Sequence, residues 1–370
     1  MIRAFFAAFL VLHGLIHLIG FSKAFGFVAV PQLGQPISRV EGLVWLVATG
    51  LFVASAVALY ASPRRFWMVG AAALVLSQTL ICGSWRDAKF GTVASLVVLV
   101  GVSYGFLSRG PWSFRATFEN DAWTGLARRS PQPLVTEADL APLPEPVRRY
   151  LRAAGVVGQE RVQGMRVRFA GFLRGGPAEP WMPITAEQYS FFDKPARLFL
   201  VEAKRAGIPF EAFHRFVGPS ATFAVKVASL VPVTHARGPV MNRSETVTHF
   251  NDMAVLAPAT LLSSSIRWEP VDDRTVRAAF TRGAETVRAE LRFDGDGWLV
   301  DFLSDDRSMA SKDGKSFSPA RWSTPLHDVR SFGAFRLASR GEAIWHVPEG
   351  PYEYGRFDFV EIEYNPSGPP

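Results

Sequence analysis

Four long apolar runs occupy the first third of the chain, and no other feature constrains its fold as strongly. The runs are Ala4–Phe21, Gly42–Ala61, Phe66–Trp85 and Gly91–Leu107, and none contains a charged side chain. Each has about 17–20 residues, and at ~1.5 Å per residue a helix of that length crosses the roughly 30 Å hydrocarbon core of a bilayer. Because a segment in lipid must satisfy its own backbone hydrogen bonds, the runs predict four transmembrane helices.

The positive charge of the chain is concentrated in the same region. The net charge is +7, and residues 1–109 carry eight basic and two acidic residues, or +6 of that total. The other 32 basic and 31 acidic residues nearly cancel. Basic residues beside apolar runs orient transmembrane helices, whereas a nucleic-acid partner requires a basic face on a soluble domain. The charge distribution therefore argues against nucleic-acid binding.

His13 and His17 lie one helical turn apart in the first run, so their imidazoles share one helix face. Polar groups are costly in lipid, which favours a functional role such as binding a metal ion or a quinone, or carrying protons. Hydrogen bonding to other helices is the alternative, with Ser77 and Gln78 in the third run as partners. Cys82 is the single cysteine. We therefore expect no disulfide within the chain, and the sequence indicates neither a metal site nor a cofactor.

The orientation of the runs follows from their flanking charges. We interpret the first run as a retained helix and not a signal sequence, because it lacks a clear cleavage site and three more runs follow. With a cytoplasmic N-terminus, the loops on the two sides carry four basic residues each. Arg115, Arg128 and Arg129, beyond the fourth run, favour a cytoplasmic C-terminal domain.

The remainder of the chain reads as a linker and a soluble domain. We predict a transmembrane domain over 1–109, a linker rich in Pro, Arg and Ser over 110–142, and a sheet-rich domain over 143–370. An amphipathic helix is predicted at Pro146–Ala154, with Gly155 after its end. A second helix is predicted at Arg243–Leu262, with Pro258 as a break.

Alternating apolar and polar residues predict strands in most of the soluble domain. The clearest are 165–172, the meander 276–282, 287–293 and 298–304, and the terminal strand 354–364. Short strands joined by hairpins imply an antiparallel sheet. The predicted fold class is a four-helix transmembrane bundle followed by an α+β domain, in which a large, curved, half-barrel-like sheet packs against a few helices.

Six segments of the soluble domain resemble an uncharacterised family of bacterial membrane proteins with a domain of unknown function. They are Pro144–Arg152, Ser244–Met253, Leu256–Ala259, Ser304–Arg307, Trp322–Pro325 and Arg336–Trp345. The resemblance covers residues 140–365 and implies a multi-pass protein of the bacterial inner membrane, with no known activity, ligand or catalytic residue. In the first run, His13–Phe21 is similar to small four-helix proteins of the DoxX type.

Glu245, His249 and Asp252 fall on one face of the second predicted helix. Such a face could bind Zn²⁺ or hold a general base. Local structure explains the same residues, since Asn242 and Glu245 fit an N-cap and N3 pair, and Glu245 and His249 fit an i,i+4 pair. No further ligand lies nearby in sequence, so we favour the local explanation.

Asp305 and Asp306 follow a predicted strand and precede Arg307. The two carboxylates could form an acid–base site, or they could end the strand with an Asx turn and a surface ion pair. Glu342, which lies near Trp345 and His346, is open to the same two interpretations.

Ten Phe and Trp residues fall between Phe169 and Phe223. Most should be core, but a curved sheet with a helix laid across it can also enclose an aromatic-lined apolar cavity, as in the half-barrels of lipoprotein carriers. The leading hypothesis is that the soluble domain binds a membrane lipid or another apolar ligand near the bilayer. The alternatives are a membrane-anchored enzyme that uses Glu245, His249, Asp305, Asp306 and Glu342, and a structural or signalling protein that docks a protein partner. The sequence does not indicate an oligomeric state.

Overall fold

The structure, a computed structural model, describes residues 1–30 and 33–368. Its backbone contacts divide the chain into two compact units, Met1–Thr117 and Phe118–Pro370. This division falls within the segment 110–142 that the sequence predicts as a linker. Each unit is built around its own group of buried apolar side chains.

The N-terminal unit consists of helices that pack in the sequence α1–α3–α4–α6. Their bounds are α1 (Ile2–Ile16), α2 (Leu18–Ala24), α3 (Arg39–Ala61), α4 (Phe66–Gly83), α5 (Trp85–Ala88) and α6 (Gly91–Arg109). Four stretches are long and apolar enough to cross a membrane: Ile2–Ala24, Arg39–Ala61, Phe66–Gly83 and Gly91–Leu126. A capping box between Ser38 and Glu41 starts α3.

The predicted linker contains two helices, α7 (Phe114–Leu126) and α8 (Glu137–Leu140). Phe118 of α7 is fully buried, and its ring packs edge-on against Tyr189 and Phe213, with centroids 5.6 and 6.1 Å apart. The Pro and Arg content of this segment suggested a linker without regular structure. Burial of the Phe118 side chain explains why α7 packs against the C-terminal core instead.

Helix α9 (Glu145–Ala153) matches the predicted amphipathic helix. Its apolar stripe is buried, and the Tyr150 hydroxyl donates to the Ala254 carbonyl over 2.9 Å. Gly155 follows at φ 75°, a left-handed conformation that glycine adopts without strain. The sequence signals at both ends of this helix are therefore confirmed.

One open antiparallel sheet of 14 strands forms most of the C-terminal unit. In chain order the strands are β1 (Gly164–Leu173), β2 (Met182–Phe191), β3 (Ala196–Arg205), β4 (Ile208–Val217), β5 (Ser220–Val227), β6 (Val231–Arg237), β7 (Ile266–Asp272), β8 (Thr275–Arg282), β9 (Glu285–Phe293), β10 (Leu299–Ser304), β11 (Ser308–Ala310), β12 (Phe317–Pro319), β13 (Arg321–Ser323), β14 (Leu326–Phe332), β15 (Phe335–Val347) and β16 (Gly350–Tyr364). Strands β11 and β12 form a separate hairpin. The large antiparallel sheet and the predicted meander, here β8–β10, are confirmed.

The strands are ordered β6-β5-β4-β3-β2-β1-β16-β15-β13-β10-β9-β8-β7, with β14 beside β15. Two meanders thus lie on either side of the C-terminal strands, and the pairing of β1 with β16 joins the first strand of the sheet to the last. The two edge strands, β6 and β7, do not pair with each other, so the sheet is not closed.

The sheet curves around helix α10 (Pro239–Val255), which contacts β5 and β6 near one end of the sheet and β9 and β10 near the other. All twelve residues from Ser244 to Val255 are buried. The helix starts before the predicted Arg243, directly after Gly238 at φ 101°. A separate 3-10 helix at Pro258–Leu262 confirms the predicted break, because proline lacks the N–H that a continuing helix requires.

Candidate functional site

A buried cluster of charged side chains connects α10 to the inner face of the sheet. The Arg197 guanidinium in β3 donates to Asp252 over 2.6 Å and to Glu245 over 3.1 Å, two carboxylates on one face of α10. Arg197 and Asp252 are each 5% exposed, and Glu245 has no exposed surface. Charged groups are costly to remove from water unless they are paired, so this arrangement constrains how α10 lies on the sheet.

Gln188 and His214 complete this ionic cluster. Gln188 in β2 donates to Asp252 over 2.8 Å, and Nδ1 of His214 in β4 lies 2.9 Å from Glu245. The His214 ring stacks on Phe223 with centroids 4.2 Å apart. Its side chain is 21% exposed, so His214 is the member of the cluster that reaches the edge of the core.

Burial and pairing set the charge states in the ionic cluster. Burial alone would raise the pKa of Glu245, but the neighbouring His214 and Arg197 lower it to about 2. Burial raises the pKa of Asp252 despite the nearby Arg197, and burial lowers the pKa of His214 below 6.5 despite the carboxylate of Glu245. At neutral pH an ionised Glu245 therefore accepts a hydrogen bond from a neutral His214.

His249 lies between Glu245 and Asp252 on α10 but bonds to neither. Its ring packs against Phe192 and Phe280, with centroids 5.4 and 6.2 Å away, and its Nδ1 has no hydrogen-bond partner. Burial, with the charge of nearby arginines, lowers the pKa of His249 well below 6.5. His249 is therefore a neutral side chain of the core.

The ionic cluster is suited to positioning α10 and not to catalysis. Among the described residues, no group of three His, Cys, Asp or Glu side chains is placed to hold a metal ion. Arg197 donates hydrogen bonds to both carboxylates of the cluster. A general base must contact its substrate, and the fully buried Glu245 is not accessible to one. The predicted N-cap pair is not formed, because Asn242 lies inside α10 and accepts the N–H of Ala221 over 2.8 Å.

The remaining candidate carboxylates lie in separate ion pairs. The Asp305 side chain is 70% exposed in a surface pair, and Asp306 accepts from Arg243 of α10 over 2.6 Å. Glu342 lies 3.4 Å from Nε2 of His327 and lines a cleft of about 220 Å³ with it. The candidate residues of the enzyme hypothesis therefore do not converge in one cleft.

Arg307, which directly follows Asp305 and Asp306, is buried. It is 9% exposed, and its guanidinium lies 4.0 and 5.1 Å from the ring centres of Trp322 and Trp345. Nη1 donates to the Tyr354 hydroxyl over 3.1 Å, and Nε has no hydrogen-bond partner. No carboxylate in the described part of the chain lies within 4.0 Å of this guanidinium.

Beyond His214, the inner face of β3–β5 carries a row of half-buried apolar side chains. Cross-strand pairing places them on one face, since Ala203 pairs with Phe210 and Ala212 with Val225. We name this row of side chains the inner apolar strip. It consists of Ala203, Phe210, Ala212, Phe223, Val225 and Val227. On the side towards α10 the same face is fully buried. The aromatic cavity predicted from the sequence is therefore filled where α10 packs, and only the strip stays partly open.

In the N-terminal unit, Ser77 of α4 lies beside His13 of α1 and beside His17, which connects α1 to α2. Its Oγ is 2.9 Å from Nε2 of His17 and 3.4 Å from Nε2 of His13, and Nδ1 of His17 lies 2.9 Å from the His13 carbonyl oxygen. All three residues are buried. Gln78 bonds to Thr92 and is not part of this group. The contacts are those of hydrogen bonding between helices.

No sequence motif marks Arg197 or His214, and Arg307 was considered only as the neighbour of Asp305 and Asp306. The sequence signal that could have identified them is a polar residue at an inward position of an otherwise apolar strand face. Arg197 and His214 both occupy such positions, since they alternate with the outward residues Leu198 and Phe213.

A model of a family of unknown function, DUF6544, matches residues 133–357 of the chain. No curated protein matches it significantly. The resemblance of the membrane half to the DoxX type is not found.

Three solved structures resemble the chain at low similarity. A candidate outer membrane lipoprotein-sorting protein domain from Vibrio parahaemolyticus is 9% identical, with a TM-score of 0.32, over 54% of this chain and 85% of that chain. A LolA superfamily protein from Nitrosomonas europaea is 13% identical, with a TM-score of 0.32, over 58% and 90%. A DUF1329 family protein from Desulfovibrio piger is 13% identical, with a TM-score of 0.30, over 55% and 86%.

Proposed function

We propose that this chain, which belongs to the DUF6544 family of unknown function, is a multi-pass membrane protein whose C-terminal unit binds an apolar ligand such as the acyl chain of a membrane lipid. The inner apolar strip is the observation that carries the proposal. It presents six apolar side chains on one concave face, all half-buried and all in register across three neighbouring strands.

The strip has the chemistry of an acyl-chain site. It contains no charged residue, and the fully buried Phe199 and Val201 lie beside it on the same face. Burying one methylene group is worth about 0.8 kcal/mol, so about ten methylenes would contribute roughly 8 kcal/mol before the ordering of the ligand is counted. Phe223 of the strip and Phe317 of the β11–β12 hairpin pack against the same buried apolar cluster, so a bound chain would extend from that cluster towards the open end of β3–β5.

The N-terminal unit supports a lipid over other apolar molecules. Its four candidate spans would hold the C-terminal unit at a membrane, where acyl chains are the abundant apolar ligand. An enzyme is less well supported, because Glu245 is fully buried in the ionic cluster while Asp305, Asp306 and Glu342 belong to separate pairs.

The test is lipid retention by the full-length protein purified in detergent, measured by native mass spectrometry and by organic extraction. Ala212→Asp introduces a charge into the strip. Ala224→Asp is the matched control, because Ala224 is also half-buried but lies on the outer face of the neighbouring strand, opposite Phe213.

We expect lipid to co-purify with the wild type and with Ala224→Asp, and to be lost from Ala212→Asp at an unchanged thermal midpoint. Wild-type protein without lipid, or equal retention by both variants, would contradict the proposal. Specific retention of a protein instead of lipid, abolished only by Ala212→Asp, would assign the strip to a protein partner.

A further inference from the structure

We propose that Arg307 binds the anionic head group, a carboxylate or a phosphate, of an amphiphile whose apolar chain lies on the inner apolar strip. This inference rests on the function proposed above and adds the class of ligand to it. It assigns a binding role to Arg307, which the sequence analysis considered only as the neighbour of Asp305 and Asp306.

Arg307 is a buried cation that forms no ion pair with any described residue. Its guanidinium lies between Trp322 and Trp345, and no carboxylate of the described residues lies within 4.0 Å. Arginine stays protonated in proteins, so burial does not neutralise it. A buried charge left unpaired is strongly unfavourable, and an anionic ligand would supply the missing partner.

The neighbouring carboxylates are already engaged. Glu245 lies near enough for the charge of Arg307 to contribute to its low pKa. Its two oxygens are occupied, however, one by Arg197 over 3.1 Å and the other by His214 over 2.9 Å. The second buried carboxylate, Asp252, is bound to Arg197 and Gln188. Arg307 therefore forms no hydrogen bond to either carboxylate of the ionic cluster, although its charge acts on Glu245.

The hydrogen-bond donors around Arg307 suit an oxyanion. The Tyr354 hydroxyl oxygen accepts from Nη1 of Arg307 and from Nε1 of Trp322, each over 3.1 Å. With its acceptor capacity used, this hydroxyl has its own proton left to donate. Nε of Arg307 is buried and has no hydrogen-bond partner. A guanidinium N–H and a hydroxyl proton together are the donors that recognise carboxylate and phosphate oxygens.

A bulge in the sheet brings Tyr354 to this position. Between β15 and β16 the register shifts at Ala343 and Ile344, whose partners are Gly355 and Glu353. Tyr354 is the unpaired residue between those two partners. Bulges redirect side chains and often occur beside functional sites.

The backbone connects Arg307 to the α10 end of the strip. The N–H of Ser308 donates to Oγ of Ser244 over 3.1 Å, which holds the segment beside the first buried turn of α10. Arg307 also acts electrostatically on His214, and His214 stacks on Phe223 of the strip. A chain on the strip would thus have its polar end next to Arg307.

The test compares three probes on the full-length protein in a non-ionic detergent: oleate, oleyl alcohol and inorganic phosphate. Oleate and oleyl alcohol share one chain and differ in the charge of the head group. We expect the wild type to bind oleate at least ~10-fold more tightly than the alcohol, which corresponds to about 1.4 kcal/mol. Arg307→Gln should lose this preference and still bind the alcohol.

Two further variants separate a binding role from a structural one. Arg321→Gln removes an exposed arginine from the surface pair with Asp305 and should keep the wild-type preference for oleate. Tyr354→Phe removes the hydroxyl but retains the charge, and should reduce the preference by a smaller factor. It also tests the site if Arg307→Gln fails to fold.

The outcomes are distinguishable. Equal affinities of the wild type for oleate and oleyl alcohol would overturn the assignment of Arg307 and leave the apolar site intact. Binding of neither probe would overturn the proposed function itself. Binding of phosphate alone, lost in Arg307→Gln and accompanied by equal affinities for the two oleyl probes, would assign the site to a soluble anion and overturn the amphiphile.

Discussion

Arg197 illustrates how one side chain can hold a helix on a sheet. It provides the cationic donor to two carboxylates on α10, and all three groups are buried. Removing it would leave Glu245 and Asp252 as buried anions, and breaking a buried pair in this way typically costs about 3–5 kcal/mol.

We therefore predict that Arg197→Met lowers the thermal midpoint of the full-length protein strongly, by an amount equivalent to roughly 3–5 kcal/mol. The triple variant with Glu245→Gln and Asp252→Asn should recover part of the loss, because the neutral amides need no counterion. Midpoints measured in detergent by tryptophan fluorescence test both statements. A triple variant less stable than Arg197→Met would show that the carboxylates are stabilised by contacts other than Arg197.

Ser77 has the corresponding role among the N-terminal helices, where it lies within hydrogen-bond distance of both His13 and His17. Hydrogen bonds between transmembrane helices are worth about 0.6–2 kcal/mol, so we predict that Ser77→Ala lowers stability by about that amount. Ser95→Ala is the matched control, because the hydroxyl of Ser95 is buried without a partner and its loss should cost nothing. A stabilising effect of Zn²⁺ that depends on His13 and His17 would instead indicate a metal site.

At the scale of elements, the parts that could be predicted are those encoded by local periodicity. The ends of α9, the meander β8–β10 and the break at Pro258 each follow from residues adjacent in sequence. The start of α10 was missed, because Asn242 resembles an N-cap but binds Ala221 of the sheet. The composition of 110–142 did not indicate its helices. Helix α7 is stabilised by burial of Phe118 against Tyr189 and Phe213, which are distant in sequence.

The ionic cluster could not be predicted, because it depends on strand register. Arg197 lies 48 residues from Glu245 and 55 from Asp252, and His214 lies 31 residues from Glu245. A shift of the register by one residue would place Arg197 and His214 on the outer face. The spacing of Glu245, His249 and Asp252 correctly placed them on one face of α10. The partners that determine the role of this face, however, come from strands of the sheet.

The interface between α10 and the sheet should weaken on mild acidification. His249 faces Arg282 of β8, Arg197 of β3 and Glu245 of its own helix, and burial keeps its folded-state pKa well below 6.5. Above pH 6.5 the histidine is neutral in both states and stability is complete. As the pH falls below 6.5, the unfolded chain takes up a proton that the folded chain does not, so stability decreases.

We predict a loss of up to about 1.4 kcal/mol from His249 between pH 6.5 and 5.5, with a further contribution from His214, whose pKa is also lowered. The measurement is the thermal midpoint at pH 7.5 and 5.5. His249→Leu should show a smaller decrease than the wild type. His327→Leu, at a half-exposed histidine, should keep the wild-type decrease, and an identical slope in all three proteins would refute the role of His249.

At the scale of the whole molecule, the two units differ in net charge and in the share of the candidate spans that each contains. The N-terminal unit, Met1–Thr117, carries the whole net charge of +7, and it contains three of the four candidate spans and the start of the fourth. The C-terminal unit has no net charge and contains the ionic cluster, the inner apolar strip and the buried Arg307. The lipid ligand that we propose would connect the two, because it would be available if the candidate spans anchor the chain in a membrane.

The side of the membrane on which the C-terminal unit lies decides which leaflet could supply that lipid. In the multi-pass protein that we propose, four spans would place Met1 and the C-terminal unit on one side, and the basic residues Arg115, Arg128 and Arg129 after the last run favour the cytoplasm. We predict that a fluorescent-protein fusion at the C-terminus is bright and that an alkaline-phosphatase fusion there is inactive. Fusions in the loop after Ala61 should behave in the same way, and fusions after Gly83 in the opposite way. Active phosphatase at the C-terminus would reverse the orientation and make the outer leaflet the source of the ligand, while the contacts of the strip and of Arg307 would be unchanged.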